Sequence, residues 1–207
     1  MLQELLALCE QPIHVADIGA AFFGETPPYQ VLIDQGLGTL TAFEPDARET
    51  EALRRHLGTS ATVLPYAVGD GGEHTLYICP PGLGMNSLLE PDPATLGYFN
   101  SFPEWGRVEK TQPIATRRLD DIAELAEIDF LKMDVQGSEL PILTHGRQKL
   151  ANAVAVQTEI SFITLYKGQP TFADIDRELR LQGMIPHRFT NIKNWSIAPT
   201  IRAGDPR

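Results

Sequence analysis

The order in which short apolar runs and amphipathic stretches follow one another constrains this chain more than any other feature. His14-Val15-Ala16-Asp17-Ile18 runs into Gly19, Thr39 to Phe43 into Glu44-Pro45, and Asp129 to Val135 into Gln136-Gly137, with a further apolar run from Ala153 to Ile160. Stretches with helical spacing stand between them. Strands separated by helices need crossover connections, so the pattern predicts an α/β fold, with a doubly wound, mostly parallel sheet carrying helices on both faces. A length of 207 residues fits one domain with a sizeable core.

Local signals mark the helix ends. Asp46 with Glu49 forms a capping pair, Ala52, Leu53 and Leu57 share a face, and Gly58 stands just past the end, the start and stop signals of a helix. Thr171 with Asp174, then Phe172, Ile175 and Leu179, then Gly183 repeat the scheme. Other expected helices run from Pro27 to Gly36, from Asp120 or Asp121, and from Ser138 with Pro141 in its first turn and Gly146 near its end. Residues 1–12 read as a short amphipathic helix. Ala61 to Val68, Thr75 to Cys79 and Val108 to Arg117 are expected strands, with Met184 to Phe189 and Trp195 to Ala198 as two edge strands. The Pro- and Gly-rich stretch from Pro80 to Arg107 is too long for a plain connector, so it is expected to be a loop that covers a substrate, with one helix inside.

Composition excludes several classes. The formal net charge is −10 and the pI about 4.9, which opposes nucleic acid or an anionic membrane as partner, because both need a basic face. The N-terminus has no basic region of the kind a signal peptide carries, and no run approaches the ~20 apolar residues that span a bilayer. Two cysteines without metal or disulfide spacing predict a reducing, cytoplasmic setting and no metal. A homo-oligomer is compatible with all of this.

In a doubly wound sheet, ligands bind at the carboxyl ends of the strands, and the informative residues fall there. The first turn, from Asp17 to Gly24, has two glycines but lacks G-x-G-x-x-G, which disfavours a dinucleotide. Glu44 ends the second strand, where a carboxylate can bridge both hydroxyls of a ribose. Asp70, after the third strand, is placed either to meet an adenine amine or simply to make a turn. Lys132 and Asp134 share a face of one strand, and Gln157 and Glu159 share a face of the next. Adjacent parallel strands would gather these four around one pocket, or else pair the charges off in the interior. Asn86 and Ser87 offer short polar groups for a substrate hydroxyl, and Gln136 and Glu139 are further candidate substrate-binding residues.

Taken in order, Asp17-Ile18-Gly19-Ala20, Ala42-Phe43-Glu44-Pro45-Asp46, Arg118-Leu119-Asp120-Asp121-Ile122 and Phe130-Leu131-Lys132-Met133-Asp134-Val135-Gln136-Gly137-Ser138-Glu139 resemble the motifs of the FkbM family of S-adenosylmethionine-dependent methyltransferases, over roughly residues 13 to 190. The resemblance implies a Rossmann-like methyltransferase fold and methyl transfer to a hydroxyl of a sugar, glycan or secondary metabolite. It implies that Asp17, Gly19 and Ala20 border the methionine part of S-adenosylmethionine, Glu44 its ribose and Asp70 its adenine, with Asp134 near the methyl. The family often has glutamate where this chain has Gln136, and it usually closes with a strand not found after Ala198, as in a truncated chain.

Methyl transfer needs alignment and one proton acceptor. The candidates are Asp134 and Glu159, with Lys132 beside them as a third catalytic residue, and more remotely His187 or His145. Two rival readings are a methyltransferase-like module that binds without catalysing, and an NAD(P)-dependent oxidoreductase.

Overall fold

A computed structural model describes residues 11–21, 26–125 and 127–200; the expected helix over residues 1–12 lies almost wholly outside them. The described residues group into two compact units. The first draws on the segments up to Gly72, Thr116–Asp134 and His145–Thr158, and the second on Glu73–Ala115, Val135–Thr144 and the segment from Glu159 onward.

The first unit is built on a five-stranded sheet in the order β3-β2-β1-β7-β8. Its strands are β1 (Ile13–Ile18), β2 (Gly38–Phe43), β3 (Ala61–Leu64), β7 (Phe130–Met133) and β8 (Ala155–Thr158). Every neighbouring pair is parallel. This is the Rossmann-like α/β arrangement expected from the alternation of apolar runs. One face carries Val15, Leu40, Ala42 and Val63, packed with Leu53, Ala20 and Tyr29. Leu53 comes from the helix Ala47–Leu57, which Asp46 caps by accepting the Arg48 N–H at 2.9 Å. The apolar spacing of that helix therefore faces the sheet, as predicted.

Several local expectations need correction. The run from Ala61 to Val68 is two strands, β3 and β4 (Ala67–Gly69), because Pro65 between them has no N–H to continue a ladder. β4 leaves the main sheet and pairs with the end of β6 (Lys110–Arg118). No helix starts at Asp120. A single 3-10 turn, Leu119–Asp121, stands there, since the Asp120 carboxylate accepts from the Gln148 and Lys149 N–H groups instead of capping its own segment. The helix expected within Pro27 to Gly36, beginning after the proline pair, is the short Gln30–Asp34.

The second unit pairs β5 (Glu73–Ile78) antiparallel with the first part of β6. The stretch after β5 holds two single-turn helices, Pro93–Leu96 and Phe102–Trp105, where one was expected. It is not slack chain, because Cys79, Met85, Leu96, Phe99, Phe102 and Tyr166 form its own core. The helix after Ser138 is Glu139–Thr144, and Phe172–Leu181 carries the Thr171/Asp174 capping box. The two expected edge strands are not formed among the described residues. Ile185, 81% exposed, has no ladder partner to hold it extended, and one isolated bridge joins Ile197 to Phe99.

Candidate active site

The carboxyl ends of β1, β2 and β7 lie side by side in the first unit and carry most of the residues singled out above. β1 ends at Ile18, and Gly19 follows with φ +78, a left-handed conformation that glycine adopts without a Cβ penalty. The Gly19 and Ala20 N–H groups both donate to the Phe43 carbonyl at 3.1 Å, tying the first turn to the end of β2. Ala20 itself is a core residue.

Glu44 follows directly on the end of β2. Its Oε1 accepts from the Asp46 N–H at 2.9 Å, and the Thr50 hydroxyl donates to its carbonyl at 2.6 Å. The residue is only 7% exposed. Burial pushes its carboxyl up to about 7; the Asp46 and Ala21 N–H groups pull it down by hydrogen bonding, while the charges of Asp46 and Glu49 push it up. A buried carboxylate whose two N–H donors leave further lone pairs is suited to meet a pair of hydroxyls.

Asp17 and Lys132 are register partners on β1 and β7, so their side chains leave the same face of the sheet. The Lys132 ammonium lies 3.0 Å from Asp17 Oδ1, and the Tyr29 hydroxyl donates to Oδ2 at 2.5 Å. Burial drives the Asp17 carboxyl above its ordinary value, opposed by Lys132 and Tyr29, with the Asp134 charge adding to the rise. Tyr29 is raised as well, by burial and by the Asp17 charge. Lys132, expected to serve a pocket with Asp134, directs its charge to Asp17; Gln157 is its register partner on β8. Asp134 extends the ladder one residue, donating its N–H to the Ile18 carbonyl at 3.0 Å.

Asp70 lies after β4. Its Oδ1 accepts from the Gly72 N–H at 2.8 Å and the Thr116 hydroxyl at 3.2 Å, and its carbonyl accepts from Arg118 at 2.8 Å. The turn chemistry weighed for it is therefore present.

Most of the other singled-out residues belong to the second unit, and His145 to the first. Gln136 has φ +56 and Gly137 φ +99, a left-handed pair. The buried Glu139 carboxylate stabilises this turn by accepting from the Val135 and Gly137 N–H groups, each at 3.2 Å. The Gln136 amide donates to Glu159 at 2.9 Å and accepts from the Tyr166 hydroxyl at 3.2 Å. Ser87 donates to the Gln136 carbonyl at 2.7 Å. The exposed Asn86 accepts from the Cys79 N–H at 2.9 Å. His187 is exposed, while His145 accepts through its carbonyl from the Asp120 N–H.

Tyr29 and Tyr166 also belong to these clusters. Neither has a local signature; each meets its partner only through the fold. Among the described residues no group of His, Cys, Asp and Glu is arranged to hold a metal, and no helix is long and apolar enough to cross a membrane.

Comparison with known proteins adds a family-level finding. The sequence model of a family described as the methyltransferase FkbM domain matches residues 17–186. The chain is similar to the 2-O-methyltransferase NoeI of Sinorhizobium fredii (strain NBRC 101917 / NGR234), 27% identical over 176 residues that cover 81% of this chain and 71% of that protein. No solved structure matches it.

Proposed function

The chain belongs to the FkbM methyltransferase family, and from that premise we propose that it methylates a hydroxyl of a sugar, glycan or secondary metabolite, using S-adenosylmethionine as donor. One observation carries the cofactor assignment. Glu44, buried at the carboxyl end of β2 beside the Gly19 turn, is a carboxylate raised to about 7 by desolvation. Two ribose hydroxyls would donate to the lone pairs that the Asp46 and Ala21 N–H groups leave open. The residues present thus fit the cofactor. Gly19 and Ala20 would border its methionine part and Asp70 its adenine.

When bound, S-adenosylmethionine supplies a methyl group on a positively charged sulfur. The chain's own part would be to hold the acceptor hydroxyl toward that methyl and to take the hydroxyl proton on a base. We assign the base role first to Asp134, at the end of β7, and second to Glu159, which Gln136 orients. Lys132 serves the site through the charge it lends to Asp17. Acceptor choice is assigned to residues 80–107, with Asn86, Ser87, Gln136 and Glu139 as the polar groups nearest to that task in the second unit. The 2-O-methyltransferase activity in the relative's name supports a hydroxyl acceptor. The acidic charge and the cysteine usage support a cytoplasmic setting with no nucleic-acid or membrane partner.

Two measurements test the proposal. Glu44→Ala should weaken binding of S-adenosylhomocysteine by about 1.5 to 3 kcal/mol, the range for hydrogen bonds to a charged group; unchanged affinity removes Glu44 from the site. Mass analysis of a panel of hydroxylated carbohydrates incubated with chain and S-adenosylmethionine should find O-methyl products. Methyl transfer confined to amine or thiol acceptors would refute the hydroxyl assignment.

A further inference from the structure

Asp17 occupies the first position of the motif that borders the cofactor, yet its side chain is only 3% exposed. Both of its oxygens face protein groups: Tyr29 donates to Oδ2 at 2.5 Å, and the Lys132 ammonium lies 3.0 Å from Oδ1. Among the described residues, protein groups therefore enclose nearly all of this carboxylate. Its neighbours determine what it does. Gly19 and Ala20 follow it directly, and both N–H groups bond to the end of β2. Ala20 and the Tyr29 ring belong to the same core cluster, and that ring meets Phe130 on β7 edge-on, with centroids 6.5 Å apart. Tyr29 immediately precedes the helix Gln30–Asp34, but its hydroxyl caps nothing there. It reaches back to β1, so the chain leaving the Gly19 turn is fastened to the strand on which the turn began.

We propose that Tyr29 is a positioning residue of the cofactor site: with Lys132 it clamps Asp17, and the clamped Asp17 fixes the Gly19–Ala20 turn for the ligand without touching the ligand itself. The inference rests on the proposed cofactor role of that turn. An ion pair at one oxygen and a short hydrogen bond at the other resist rotation of this buried side chain, and so of the backbone that carries it. Removing the phenol oxygen leaves the ring packing in place while releasing one of the two ties.

Titration with S-adenosylhomocysteine of the unaltered chain, Tyr29→Phe, Asp17→Asn and the double variant tests the clamp, at a temperature where all are folded. Tyr29→Phe should weaken binding by roughly tenfold. The double variant should bind little worse than the weaker single one, because both substitutions open the same clamp. If Tyr29→Phe only lowers the melting temperature and leaves affinity unchanged, Tyr29 is purely structural and the proposal fails. If Asp17→Asn costs far more than Tyr29→Phe and the two costs add, Asp17 touches the ligand and the proposal fails as well. Should Asp17→Asn not fold, the affinity of Tyr29→Phe alone decides the question. Absence of binding by the unaltered chain would overturn the cofactor reading and this inference with it, whereas binding that Tyr29→Phe leaves intact overturns only the inference.

Discussion

Replacing Glu44 by glutamine should stabilise the ligand-free protein in alkaline solution while weakening the cofactor site. Burial holds the Glu44 carboxyl at about 7 against an ordinary 4.5. At roughly 1.4 kcal/mol per pH unit, its ionisation in the folded state costs about 3 kcal/mol. The sign follows from proton counts. Between 4.5 and about 7 the unfolded chain has already released this proton and the folded chain still holds it, so stability falls as pH rises through that window, and the full cost applies above it. From about pH 5 to about pH 8 the Glu44 contribution should change by about 2.5 kcal/mol. Glutamine does not titrate. Its carbonyl can keep the Asp46 N–H, but its amide cannot accept from Ala21, a loss of about 1 kcal/mol. Denaturant unfolding of both proteins should therefore give nearly equal stabilities at about pH 5 and an advantage of about 2 kcal/mol for Glu44→Gln at about pH 8. A difference between them that does not vary with pH would refute the reasoning, because Glu44 would then be ionised in the folded protein throughout.

Asp134→Asn should abolish most methyl transfer while shifting the unfolding midpoint little, since the backbone N–H that joins the β1 ladder is retained; comparable losses of turnover and stability would make Asp134 structural. Gly137→Ala should destabilise the protein by about 1 to 3 kcal/mol in denaturant unfolding. The position has φ +99, and an added Cβ would come within 3.0 Å of the Gln169 side chain. An unchanged midpoint would mean that the turn after β7 relaxes freely.

Much of the architecture was legible in the sequence because its signals are local. Apolar runs ending in glycine marked β1 and β7, and Asp46 with Gly58 and Thr171 with Asp174 marked two helices that form where expected. What was missed depends on partners distant in sequence. Lys132 shares a strand face with Asp134, but parallel register, which no periodicity encodes, sets it beside Asp17. Asp120 has the look of a helix cap until the fold brings Gln148 and Lys149 within reach. The Glu139 carboxylate accepts from the Val135 and Gly137 N–H groups, bonds that depend on the left-handed turn before it and not on any spacing. Tyr29, whose hydroxyl lies 2.5 Å from the Asp17 carboxylate, follows two prolines and has no spacing that points to a carboxylate. The ends of β1, β2 and β7 could thus be read from the sequence; the pairing of side chains across those ends could not.

The most direct test of the account is calorimetric titration of the purified chain with S-adenosylhomocysteine and, in parallel, with NAD. The account predicts saturable binding of S-adenosylhomocysteine and none of NAD, since the first turn lacks the glycine pattern that cradles a pyrophosphate. Binding of NAD alone, or of neither compound, would contradict it.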